Sequence, residues 1–135
     1  MNKGKSNSLG KTERLKSRKG IEFLFTSGKK ITLFPFRMLY RLDPGTGETK
    51  AGFTVSSKNF PRAVDRNRIK RLTREAYRLQ NNPLKKSLED NRKQIQLFII
   101  YTGRELLAFA EIKSQLKKIL EKLVRQIDEE NITNT

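Results

Sequence analysis

The residues most able to do chemistry lie between Lys58 and Leu79. Arg62, Arg66, Lys70, Arg74 and Arg78 recur at four-residue spacing, with Arg68 and Arg71 between them. On a helix turning 100° per residue this row drifts slowly across one broad face, and Asn67 and Tyr77 fall within the same arc. Ile69, Leu72, Ala76 and Leu79 gather on a separate narrow arc, as a stripe that packs on a core must. Like charges at i, i+4 repel one another. Solvated helices normally interleave both signs, whereas seven basic residues from Arg62 to Arg78 face only Asp65 and Glu75. A polyanion relieves that repulsion, because its phosphates draw in the cations and release their own counterions. The chemistry this segment offers is phosphate binding.

Bond-breaking chemistry has no comparable residues. The chain has no His and no Cys, which removes the commonest general base, imidazole and thiolate metal ligands, and any disulfide. Its fourteen carboxylates are scattered. The nearest neighbours are Glu89-Asp90 in a polar linker and Asp128-Glu129-Glu130 near the end of the chain, and neither group lies beside apolar strand ends that fix geometry. Gly45-Thr46-Gly47 is too short for a phosphate loop and leads into no helix. A protein-held metal or cofactor is not expected, and this absence of a catalytic constellation favours a binding role.

Composition bounds the rest. A chain of 135 residues predicts one domain with a modest core. A net charge of +16 calls for nucleic acid or an anionic membrane surface as partner. The membrane reading is the weaker: no apolar run approaches the roughly 18–20 residues that span a bilayer, and the basic helix lacks the broad apolar face of an interfacial helix. The first ten residues contain no hydrophobic signal core, so the expected location is cytoplasmic.

The elements that position the basic helix can be read in order. Residues 1–13 are expected to form a flexible basic arm, residues 14–127 a single domain, and residues 128–135 a frayed tail. Ser17 caps a helix running to about Thr26, with Ile21, Leu24 and Phe25 as its apolar face, and Gly28 ends it. Residues 36–42 and 49–56 read as strands joined by the turn residues Asp43-Pro44-Gly45-Thr46-Gly47, which predicts a hairpin. The basic helix starts near Pro61 and stops before Asn81-Asn82-Pro83. Residues 84–94 are polar and hold at most a short helical turn. Gln94–Tyr101 is the most apolar run and reads as a central, buried strand. A last helix over about 108–127 carries Phe109, Ile112, Leu116, Ile119, Leu120, Leu123 and Ile127 at helical spacing, a core stripe rather than a coiled-coil seam. The expected order is α-β-β-α-β-α, an α+β fold built as a two-layer α-β sandwich.

Aromatic residues supply the other half of nucleic-acid recognition. Phe34, Phe36, Tyr40, Phe53, Phe98 and Tyr101 lie on or near the strands, whose alternate residues face opposite sides. One side packs on the last helix; the other is free to stack unpaired bases. Phe53 and Phe98 read as core. Tyr40 remains open between the two roles, and it shares its strand with Arg37 and Arg41.

Arg66-Asn67-Arg68 followed by Ile69-Lys70-Arg71-Leu72-Thr73-Arg74-Glu75 resembles the signature helix of the bacterial ribonuclease P protein subunit. The resemblance extends over about residues 14–125: Arg14-Leu15-Lys16 with Phe25 and Gly28, Gly52-Phe53-Thr54-Val55-Ser56 with Lys58, and Phe98-Ile99-Ile100 through Arg104 and Phe109. It implies a left-handed βαβ crossover that displays the signature helix. It also implies that a large RNA subunit carries the catalytic Mg2+ and cleaves precursor tRNA to make the mature 5′ end, while the protein binds that RNA and contacts the precursor's 5′ leader in a cleft between the sheet and the first helix. On this chain, Arg62, Arg66, Asn67, Arg68, Lys70, Arg71 and Arg74, with Lys58 before the helix, match the RNA-binding positions. Phe25 and Tyr40 match the cleft aromatics, with Arg37 on the same strand as Tyr40. Ile21 stands where the family often has Phe, and Pro61 is unusual in the approach to the helix.

Composition alone fits a ribosomal protein equally well, and only the signature helix and its flanks separate the two. A DNA-binding helix-turn-helix protein needs a helix just before the basic one, where this sequence has a strand. A self-contained protein nuclease lacks its acids and histidines.

Overall fold

Alternation along the strands determines which residues face which layer. The computed structural model describes residues 18–133, with side chains from residue 20 to residue 130. The basic arm, Arg14-Leu15-Lys16 and the Ser17 cap lie outside the described residues. The elements are α1 (Arg18–Ser27), β1 (Lys29–Leu33), β2 (Phe36–Pro44), β3 (Thr49–Val55), α2 (Ala63–Gln80), α3 (Asn82–Asp90), β4 (Lys93–Tyr101) and α4 (Phe109–Thr133). The strands form one sheet in the order β1-β2-β4-β3. β1 and β4 each run antiparallel to β2, and β3 runs parallel to β4.

The α+β sandwich is present. Phe36, Met38 and Tyr40 on β2, Ala51 and Val55 on β3, and Ile95, Leu97, Ile99 and Tyr101 on β4 share one face with Ile31 of β1. That face packs on α2, α3 and α4. The expected α4 stripe is core: Ile112, Leu116, Ile119, Leu120, Leu123 and Ile127 are all buried. On the opposite face, Leu39 and Phe98 pack under Leu24 of α1, so α1 adds a partial third layer.

The expected hairpin between residues 36–42 and 49–56 does not form. β4, the most apolar strand, lies between β2 and β3 and pairs with both, as a strand buried on both faces is drawn to the centre. β3 therefore reaches β4 by a parallel βαβ crossover through α2 and α3. The turn chemistry serves that arrangement. Gly47 has φ +103°, a conformation that glycine adopts without steric cost. The backbone N–H groups of Gly45 and Gly47 donate to the carbonyls of Arg92 and Lys93 (3.1 and 2.9 Å), so the turn docks beside the start of β4.

Three further boundaries differ from expectation. β1 is an additional strand; its Lys-Lys-Ile-Thr-Leu buries only Ile31 and carries little apolar signal. Residues 82–90 form a full helix, α3, because Leu84 and Leu88 are buried one turn apart and Pro83 sits in its first turn. α4 continues past Ile127 to Thr133. Residues 128–130 have partners there: Asp128 accepts hydrogen bonds from Ser87 Oγ and Asn91 Nδ2, both 2.8 Å, and Glu130 pairs with Lys29 at 2.6 Å.

Candidate nucleic-acid interface

α2 forms because its buried residues recur at i, i+4, i+7 and i+8: Ile69, Thr73, Ala76 and Tyr77. The Thr73 hydroxyl is satisfied within the helix by donating to the Ile69 carbonyl at 2.8 Å. Tyr77 therefore does not belong to the basic arc. Its ring is fully buried and meets Phe53 edge-on, with centroids 5.6 Å apart. Leu79, expected in the apolar stripe, is 47% exposed. Arg62, ahead of the first helical residue, has its side chain 74% exposed, whereas Arg66, Lys70 and Arg74 are half-buried and the Arg78 side chain is 23% exposed.

The cations of α2 consequently differ in what they are free to do. The helix begins at Ala63, two residues after Pro61, and Arg62 at the N-cap supplies no side-chain cap. The positive end of the helix dipole is thus left beside Lys58 and Arg62, both exposed. Arg66 turns back on this approach, and its Nη1 donates to the carbonyls of Phe60 (2.9 Å) and Pro61 (2.7 Å). Arg62 pairs with Asp65 at 3.3 Å. Arg74 lies over the Phe53 ring, 5.7 Å from its centroid. Arg78 Nε donates to Glu75 Oε1 at 3.0 Å, and this bond holds the Glu75 carboxyl below its ordinary range. Lys70 is half-buried, whereas Asn67, Arg68 and Arg71 are exposed on the outward side.

The other sheet face carries α1. Cross-strand register places Arg37, Leu39 and Arg41 of β2 beside Ile100, Phe98 and Gln96 of β4, and these beside Thr54, Gly52 and Lys50 of β3. Leu24 anchors α1 over Leu39 and Phe98, with Ile21 and Ile100 half-buried against them. Phe25 is 50% exposed, and its ring meets Phe98 edge-on at 5.7 Å. Arg41 sits over Phe23, 4.5 Å from the ring centroid. Of the expected cleft residues, Ile21 and Phe25 come together, and Arg37 is exposed on the same face of the sheet. Tyr40 does not join them. It alternates with Leu39 and Arg41, so its ring points into the main core, where its hydroxyl donates to Gln126 Oε1 at 2.6 Å. Phe98, read from sequence as core, is indeed buried, but in the smaller cluster under α1. Lys50, Phe98 and Ile100, which sequence reasoning does not place here, share this sheet face through their common parity with Arg37 once β2, β4 and β3 are aligned.

Among the described residues, no group of three or more His, Cys, Asp or Glu side chains could hold a metal ion. No described helix is long and apolar enough to cross a membrane.

Fold and surface together define an α+β protein that presents a cationic helix from one side of its sheet and, on the other, a half-exposed Phe25 ring against Phe98 under α1. The family model described as ribonuclease P matches residues 9–124. The ribonuclease P protein component of Porphyromonas gingivalis is 33% identical over 131 residues, covering 93% of each chain. That of Chlorobaculum tepidum is 34% identical over 140 residues, covering 93% of this chain and 91% of the relative. Among solved structures, the RNase P protein from Thermotoga maritima superposes with a TM-score of 0.65 at 24% identity, covering 82% of this chain and 96% of that one. The Staphylococcus aureus RNase P protein gives 0.63 at 20% identity, covering 84% and 96%. The chain belongs to the ribonuclease P protein family and is a component of the tRNA-processing endoribonuclease.

Proposed function

We propose that the chain binds the catalytic RNA of ribonuclease P through α2 and holds the 5′ leader of precursor tRNA against the α1–sheet cleft. In this way it assists RNA-catalysed removal of the leader in the cytoplasm. The observation that carries the reading is the outward row of Asn67, Arg68 and Arg71, continued by Lys58 and Arg62 at the uncapped helix start. Phosphate contacts of this kind give affinity and register without reading bases. Lys70 and Arg74 flank the row, and Arg66 shapes the turn that presents Lys58. In the cleft, the exposed half of Phe25 with Phe98, Ile21 and Ile100 offers apolar and aromatic surface to unpaired bases, and Arg37 and Lys50 offer charge to the backbone. Such contacts suit a leader of variable sequence. The Mg2+ that supports hydrolysis is assigned to the RNA subunit, in keeping with the RNA-based catalysis that the family implies.

The test is titration of the catalytic RNA across a salt series. Arg68→Ala and Arg71→Ala are each expected to weaken binding and to lower the slope of log K against log salt by about one unit. Affinity and slope unchanged in both variants reject α2 as the RNA face.

A further inference from the structure

A second aromatic site lies away from the leader cleft, at the end of the sheet where α2 begins. Phe34, in the turn between β1 and β2, is 71% exposed, the most exposed of the large hydrophobic side chains described. It walls a cavity of about 250 Å3 whose other sides are Pro35, Tyr101, Gly103, Arg104 and Glu105. This is smaller than the roughly 300–1,000 Å3 of ordinary drug-sized pockets, the scale of a single flat ring system. Its base is built from fixed groups. Tyr101 OH donates to the Glu105 carbonyl at 2.6 Å, Thr102 N–H donates to the Pro35 carbonyl at 2.7 Å, and a Cβ on Gly103 would press on Tyr101 and Pro35 at 3.1 and 3.2 Å. The base is also tied to the approach of α2, because Asn59 Nδ2 donates to the carbonyls of Thr102 and Gly103 at 3.1 and 3.4 Å.

Resting on the functional reading above, we infer that this cavity receives one unpaired base of the catalytic RNA, stacked on Phe34, while the flanking backbone runs past Arg104 towards Lys58 and Arg62. Charge and position favour this occupant. Arg104, Lys58 and Arg62 are exposed cations bordering one end of the sheet. The Glu105 carboxylate at the rim repels phosphate but accepts hydrogen bonds from a base amino group, so a base enters and the phosphates stay outside. Tyr101 and Leu107, which line the cavity, belong to the main core side of the sheet, away from the cleft under α1. This places the site with α2 and its RNA rather than with the leader.

Phe34→Ala, Phe34→Trp and the unsubstituted chain are compared in three assays: affinity for the catalytic RNA over a salt series, affinity of the reconstituted holoenzyme for precursor tRNA with and without a leader, and thermal midpoint. Phe34→Ala is expected to weaken binding of the catalytic RNA by about tenfold, the scale of one base–aromatic stack. The salt slope and the thermal midpoint stay unchanged, because an exposed ring and no charge has been removed. Phe34→Trp restores affinity. Undiminished affinity of Phe34→Ala for the catalytic RNA overturns the inference, as does a loss confined to the leader-bearing precursor, which would identify the leader as the occupant. Failure of the unsubstituted chain to bind the catalytic RNA overturns the functional reading itself, and is seen before any variant is compared.

Discussion

Arg66 has one nitrogen donating to two backbone carbonyls, those of Phe60 and Pro61, while Arg71, five residues along, is exposed. The same residue type in one basic helix therefore does different work, and spacing alone does not separate the two. Tyr40 makes the same point for aromatics. It shares a strand with Arg37 and Arg41, yet its parity with Phe36 and Met38 sends its ring to the core, and that parity was readable only once the buried face of β2 was known. Tyr40→Phe is expected to lower stability by about 1 kcal/mol, because Gln126 loses its donor in a half-buried setting, and to leave discrimination between leader-bearing and leaderless tRNA unchanged. Denaturant titration and tRNA affinity check the two parts. Burial, with the nearby Glu130 carboxylate, raises the Tyr40 phenol above its ordinary value of 10.0. A raised folded value means that the folded state holds the proton more tightly. Its contribution is thus complete below about pH 10 and is lost as pH rises through the folded value. Tyr40→Phe is accordingly expected to lessen the alkaline fall in stability; an identical fall in both proteins refutes this account of Tyr40.

At the scale of elements, α1 is the least supported part of the functional surface. It is held mainly by Leu24 over Leu39 and Phe98, a cluster separate from the main core. Leu24→Ala removes a fully buried side chain at a cost of about 2–5 kcal/mol where the site cannot collapse. The expected outcome is local: faster amide exchange over residues 20–27 and weaker binding of leader-bearing precursor, with catalytic-RNA affinity retained through α2. Equal loss of both affinities contradicts the separation of the two surfaces. Periodicity made α1, α2, β4 and α4 legible because each carries a strong apolar pattern. It did not reveal β1, whose only buried residue is Ile31, and it undervalued α3, whose Leu84 and Leu88 lie among charges. The order of strands was not legible either. Asp43–Gly47 is strong turn chemistry whichever strand follows as partner, and only the burial of β4 on both faces decides that it enters the centre.

For the whole molecule, a net charge of +16 on 135 residues is a standing repulsion that a polyanionic partner relieves. The α2 surface and the face under α1 lie on opposite sides of one sheet, so a single layer connects the proposed RNA-binding helix to the proposed substrate contact. The charge and the signature from Arg66 to Glu75 made the class of partner legible from sequence. The proposed division of labour between protein and RNA rests on membership of the family. Cleavage of precursor tRNA tests that division most directly, with the purified chain alone compared with the chain plus catalytic RNA and Mg2+. The expected result is no cleavage by the chain alone and, with both components, a single cut that releases the 5′ leader. Sustained turnover by the RNA-free chain would contradict it.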